Sequence, residues 1–296
     1  AALLVATLAC STLSTAMSLS PPPTQNPALT SAGVVVRTVA ARQPLSWLVR
    51  AWHDLTRCGW ISVLHGVVIA LAGAVMLWVA HERFWFMAGA FSGFLLVGPV
   101  LATSLYALSR GLERGEKASF AIVLETWLNW NNGRIQPRGE AQWRLVRFRV
   151  LLALAGTAWV LVSAGLITWL APVPITSPLV FIQQVVLAKE GWLFEAWLAL
   201  GGVLVAPIFA STVITIPLLL DRQVSVGQAM ATSWQVIVAN PVPMAFWGAL
   251  IMVLTLLGFA TALLGLVLLV PLLGHASWHA YRDLLDVSAL PEREPR

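Results

Sequence analysis

Charge is what this sequence has least of. Only 10% of its 296 residues are charged, against about 25% in an ordinary globular chain. Hydrophobic residues make up 58%. That leaves too little polar surface to dissolve the chain in water. It excludes a soluble enzyme, a disordered protein and a nucleic-acid binder. Cysteine is nearly absent. Cys10 and Cys58 lie far apart and belong to no C-x-x-C or C-x-x-C-H pattern, so neither a zinc ribbon nor a c-type haem attachment is indicated. No carboxylate stands in the middle of an apolar run, which argues against a proton- or sodium-coupled transporter.

What is present is a series of long apolar runs. A membrane span needs about 20 such residues to cross about 30 Å of hydrocarbon. Spans are expected at about 61–80, 84–109, 148–171 and 193–220. The stretch 244–285 is long enough for two, split near 258–265 into 244–260 and 262–285. The expected fold is an all-α polytopic membrane helix bundle over residues 45–286, with six transmembrane helices arranged as three hairpins. Residues 1–44 read as a disordered, Pro-rich leader with Met17 a candidate true start, and 287–296 as a tail.

Charge placement supports an even number of spans. With six, sixteen of the eighteen Lys and Arg fall on one side, leaving only Arg83 and Lys189 on the other. The excess of basic residues on the cytoplasmic side then places both termini there. Trp60, Trp85, Trp143, Trp169 and Trp192 fall near span ends, where an aromatic belt belongs. Pro99, Pro207 and Pro271 each sit in the second helix of a hairpin, as expected kinks, and each is followed by an Arg: Arg110, Arg222 and Arg282. The pattern runs in the same direction each time, as parallel repeats do.

Amphipathic stretches precede spans one and five. Leu45, Leu48, Val49, Trp52 and Leu55 share one helical face, opposite Arg50, Asp54 and Arg57. Val226, Met230, Trp234 and Ile237 form a second stripe, and 119–130 offers a third. Such helices are expected to lie in the inner interface. Ser225 and Gln228 have capping-box spacing, and Asn240-Pro241 reads as the start of a helix.

Ionisable groups within spans are the default functional candidates. His275 and His279 share a helix face, and His65 enters from the same half of the membrane. The three could converge on a metal or serve as axial haem ligands. Alternatively they hydrogen-bond to carbonyls or headgroups, since no carboxylate or Cys completes a ligand set. No cofactor is predicted, and no catalytic set is evident, so the chain reads as a non-enzyme. Asp221 and Arg222 form an expected ion pair at the inner end of span four. Arg110, Arg114, Arg134, Arg138, Arg144, Arg147 and Arg149 cluster in one loop, a surface for anionic lipids or a partner, or simply a topology signal. Gly66, Ala70 and Ala74 form a small-residue packing face.

Three stretches together resemble a known family: GFLLVGPVLATSLYALSRGLERGE (93–116), PLLLDRQVSVGQAMATSWQVIVANPVPMAFWGALI (217–251) and PLLGHASWHAYRDLL (271–285). The family is one of bacterial predicted integral membrane proteins known only as a domain of unknown function. The resemblance spans roughly 45–286 and is most specific at LLDR and GHASWHAYR. It implies a six-helix inner-membrane protein and no activity. Some members have carried a putative cytochrome c oxidase label. Five histidines, two of them outside the spans, cannot supply an oxidase's haem and copper ligands. Three functions are in view. The first is an accessory or assembly component of a larger membrane complex, the second a channel or transporter for a neutral or lipid-like solute, and the third a haem- or metal-binding protein.

Overall fold

The computed structural model describes residues 28–31, 34–80, 102–131, 140–188 and 192–293. They are predominantly helical, as a solvent that cannot hydrogen-bond the backbone requires. Helix α1 (Gln43–Cys58) stops at Gly59, whose φ of +56° is open to a residue without Cβ. The chain re-enters a helix at once as α2 (Trp60–Ala80). Next come α3 (Thr103–Glu113), α4 (Phe120–Asn131), α5 (Glu140–Leu170) and the short α6 (Pro178–Phe181). The second half holds α7 (Leu193–Thr212), α8 (Thr215–Asp221), α9 (Val226–Ala239), α10 (Pro241–Ala260) and α11 (Leu266–Leu284).

Among the described residues three helical stretches are long and apolar enough to cross a membrane: Trp60–Val79, Leu193–Asp221 and Pro241–Ala260. Gly156–Leu170 is a shorter apolar segment within α5. Most of the expected second span, 84–101, lies outside the described residues, and Pro99 with it. Helix α11 occupies most of the expected sixth span. It has length enough, but its second half carries His275, His279, Arg282 and Asp283, so it falls short on hydropathy. Between α10 and α11 the chain reverses over residues 261–265. Ala262 and Leu263 adopt φ of 53° and 70°, and the Thr261 hydroxyl accepts from the Gly265 amide at 2.8 Å.

Helix α11 is the hub, packing on α1, α2 and α3. Its approach to α2 is close enough that a Cβ on Gly66 would lie 2.1 Å from the Val267 carbonyl oxygen. Gly66 therefore brings two backbones together, the use expected of the small-residue face. Trp47 of α1 and Trp247 of α10 are both fully buried and meet edge to face at 5.5 Å between centroids.

The span 193–221 is broken, though not at its proline. Pro207 lies inside α7, while the interruption comes at Val213 and Ile214. There the Ser233 hydroxyl of α9 accepts from the Ile214 amide (3.3 Å) and donates to the Ala210 carbonyl (2.6 Å). A hydroxyl has inserted into the i to i−4 ladder, and both backbone groups remain bonded. Pro271 likewise sits inside α11, buried.

Two corrections to the sequence reading concern the edges of the bundle. The leader was expected to be disordered through residue 44. Instead β2 (Val34–Val36) pairs antiparallel with β1 (Ala28–Ser31) and with β3 (Leu285–Asp286), which continues from α11. Asn240 then holds residues 37–39 by accepting from the Val39 amide (2.9 Å) and donating to the Arg37 carbonyl (3.0 Å). Its side chain is thus occupied by the N-terminal segment and does not cap α10. The second correction is to α1. Leu45, Val49 and Trp52 of its apolar stripe are exposed, as an interfacial helix would have them, but Leu55 of the same stripe is buried and Leu48 half-buried, and Asp54, assigned to the opposite polar face, is buried with Trp47, Ala51 and Cys58. Helix α4 repeats this, exposing Phe120, Leu124 and Leu128 at four-residue spacing. Water would leave these faces unburied at a cost; lipid does not.

Candidate functional site

Four helices bring polar side chains to one buried locus. Asp54 comes from α1, Ser62 and His65 from α2, Ser104 and Ser109 from α3, and His275 and His279 from α11. The Ser109 hydroxyl donates to Asp54 Oδ2 at 2.6 Å and lies 2.7 Å from His275 Nδ1. His275 Nε2 is 2.9 Å from the Ser62 hydroxyl, and His279 Nε2 is 2.9 Å from Asp54 Oδ2. A proton count fixes the tautomers. Ser109 has one proton, given to Asp54, so His275 Nδ1 donates to Ser109 and His275 Nε2 accepts from Ser62. His65 stands apart: Nδ1 donates to the Ile61 carbonyl at 2.8 Å, and Nε2 accepts from Ser104 at 2.7 Å.

Burial works to raise the Asp54 pKa. The His279 and Ser109 hydrogen bonds and the nearby imidazole charge outweigh it, and the carboxyl is held below its ordinary 3.8. The Cys58 thiol next to this locus is pushed up by burial and stays protonated.

In this geometry His65, His275 and His279 are each hydrogen-bonded to protein groups. Both ring nitrogens of His65 and of His275 are taken by protein partners, and His279 is bonded to Asp54. Among the described residues no group of three or more His, Cys, Asp or Glu is placed to hold an ion. The histidines are members of a serine–aspartate hydrogen-bond network. Sequence reading missed its other members, because a Ser in an apolar helix carries no signal of what it faces.

A second cluster ties together the ends of α3, α8 and α11, where the three repeated arginines stand: Arg110 and Arg282 on α3 and α11, Arg222 just past α8. Arg110 Nε of α3 lies 2.9 Å from Asp221 Oδ1 of α8, and Tyr281 of α11 donates to Asp221 Oδ2 at 2.8 Å. Arg282 of α11 pairs with Glu113 of α3 at 3.2 Å. Every pair of the three helices is therefore linked. The expected Asp221–Arg222 pair forms at 3.0 Å, and Arg110 and Tyr281 join it. Burial lowers the Arg110 pKa despite the Asp221 charge; at Arg222 burial acts the same way, but Asp221 prevails and the pKa is raised.

The arginines expected to contact lipid divide accordingly. Arg110 is turned inward to Asp221, and Arg114 is paired with Glu292 of the tail. Arg134 and Arg138 lie outside the described residues. Arg144, Arg147 and Arg149 are on α5, where only their backbone is described.

An apolar helical bundle with its polar groups turned inward is an integral membrane protein. Residues 86–221 match a family described as predicted integral membrane protein (DUF2189), whose function is unknown. The match takes in Ser104, Ser109, Arg110 and Asp221, and leaves Asp54, His65, His275 and His279 outside it. No curated protein and no solved structure matches the chain.

Proposed function

We propose that the chain is a six-span protein of a bacterial inner membrane, with both termini cytoplasmic, that works by packing against other membrane components. It is an accessory or assembly part of a larger complex, and not an enzyme. One observation carries this reading. The ionisable groups of the two buried clusters are bonded to partners within the protein, while the outward faces are apolar. Helix α10 is the least covered, with only 22% of its span buried by the chain itself, against 39% and 50% for the other two spans. Met252, Val253, Leu256 and Leu257 are exposed on it. Apolar helices gain no hydrophobic energy by leaving lipid, so partners on such a face must fit by shape. Convergence of α3, α8 and α11 at one arginine-rich end supports the shared side of the C-terminus and the 110–147 loop.

A photo-crosslinking residue at Met252 or Leu256 in native membranes tests the association. A discrete adduct with one membrane protein, recurring at both positions and absent from an α11-facing control, is expected. Adducts to lipid alone, with the protein migrating at the size of the single chain, would contradict it.

A further inference from the structure

The tail beyond β3 returns to the arginine-rich end and is held there mainly by its backbone. The Gln223 amide donates to the Pro291 carbonyl (3.1 Å) and the Gln223 side chain to the Glu292 carbonyl (3.0 Å). Arg222 Nη1 reaches the Leu290 carbonyl at 3.0 Å and Arg110 Nη2 the Arg293 carbonyl at 2.6 Å. None of these bonds needs the Glu292 carboxylate. That carboxylate is gripped by one guanidinium on each oxygen: Arg114 on Oε2, and Arg222 Nη2 on Oε1 at 3.4 Å.

Among the described residues three guanidiniums, Arg110, Arg114 and Arg222, meet two carboxylates here, Asp221 and Glu292. Asp221 is enclosed, with 4% of its side chain exposed, and already takes Arg110, Arg222 and Tyr281. Glu292 is at the rim with 53% exposed, so it can swing out while the tail stays docked. Two guanidiniums facing one small anion suit a phosphate, which has more oxygens and more charge than a carboxylate. The rim also lies where α3 passes into α4, whose Phe120, Leu124 and Leu128 are outward.

We propose that Arg114 and Arg222, backed by Arg110, form a binding site for a phosphate group, and that Glu292 fills it as a displaceable internal stand-in. The phosphate is that of an anionic lipid headgroup or a free phosphate ion, and the two are separable. The full-length protein in non-ionic detergent is titrated with phosphatidic acid, with oleate at equal mole fraction, and with inorganic phosphate against chloride at equal ionic strength. The readout is the thermal unfolding midpoint. A rise with phosphatidic acid alone identifies a headgroup, and a rise with inorganic phosphate as well identifies a general phosphate site. Glu292→Gln should tighten the apparent affinity by about fivefold and Arg114→Gln weaken it by a similar factor, as one charge at such a surface is worth. Glu292→Gln removes only a surface carboxylate and carries the test even if Arg114→Gln fails to fold. Oleate and chloride matching the phosphate probes, or Glu292→Gln leaving the affinity unchanged, overturns the proposal.

Discussion

Asp54 belongs to a helix outside the apolar runs, yet its carboxylate is where α1 joins α3 and α11. Removing its charge leaves the His279 and Ser109 donors facing a weaker acceptor. Asp54→Asn should cost about 3 kcal/mol, the scale for breaking a buried pair, read as a fall in the thermal midpoint of the detergent-solubilised protein. The pH dependence has a definite sign. The folded-state pKa of Asp54 lies below its ordinary value of 3.8, so its stabilising contribution is complete above that value and is lost as pH falls through the folded one. The midpoint difference between wild type and Asp54→Asn should shrink as the pH is taken down from 3.8; a difference that persists or grows would contradict the assignment. Periodicity placed Leu45, Val49 and Trp52 on an outward stripe, where they are, but it put Leu55 with them and Asp54 on the opposite polar face, and both of these are buried. In water the apolar face goes inward, whereas next to lipid the polar residue is the one that needs protein around it. The Arg110–Asp221 pair, made across 111 residues of sequence, left no local trace to read.

At the scale of elements, length and hydropathy were enough to find the stretches at 60–79, 193–221 and 241–260, because a run of some 20 apolar residues has few other uses. The capping box at Ser225 and Gln228 was equally legible, its hydrogen bonds being local: Gln228 amide to Ser225 hydroxyl at 3.2 Å, and Ser225 amide to Gln228 side chain at 3.0 Å. Breaks were not. Proline pointed to position 207, while the ladder opens at Ile214, where a hydroxyl from another helix substitutes for the missing bond. Ser233→Ala would leave a buried amide and carbonyl without that bridge. It should destabilise by about 2 kcal/mol, seen as a lower unfolding midpoint together with faster amide hydrogen exchange at Ile214. Unchanged exchange there would mean that α7 and α8 close the gap by themselves. The small-residue face at Gly66 was visible in sequence as spacing, but its partner, the Val267 backbone, lay 201 positions away and emerged only with the packing of α2 on α11.

Over the whole molecule, the arginines do two jobs that composition alone merges. Some link the ends of α3, α8 and α11 into one polar layer, and that layer also receives the C-terminal tail. The same layer requires the three helix ends to share one side of the membrane, which is the claim on which the hairpin arrangement and the phosphate site both depend. The most direct measurement is a pair of compartment-sensitive reporters, one inserted between Arg134 and Arg138 and one fused after Arg296, expressed in separate chains. Both should report the cytoplasm, while a third reporter, placed at the turn between α10 and α11, reports the opposite compartment. If the first two report opposite compartments, α3 and α11 cannot end on the same side, and the structure described here is not the one the protein adopts in its membrane.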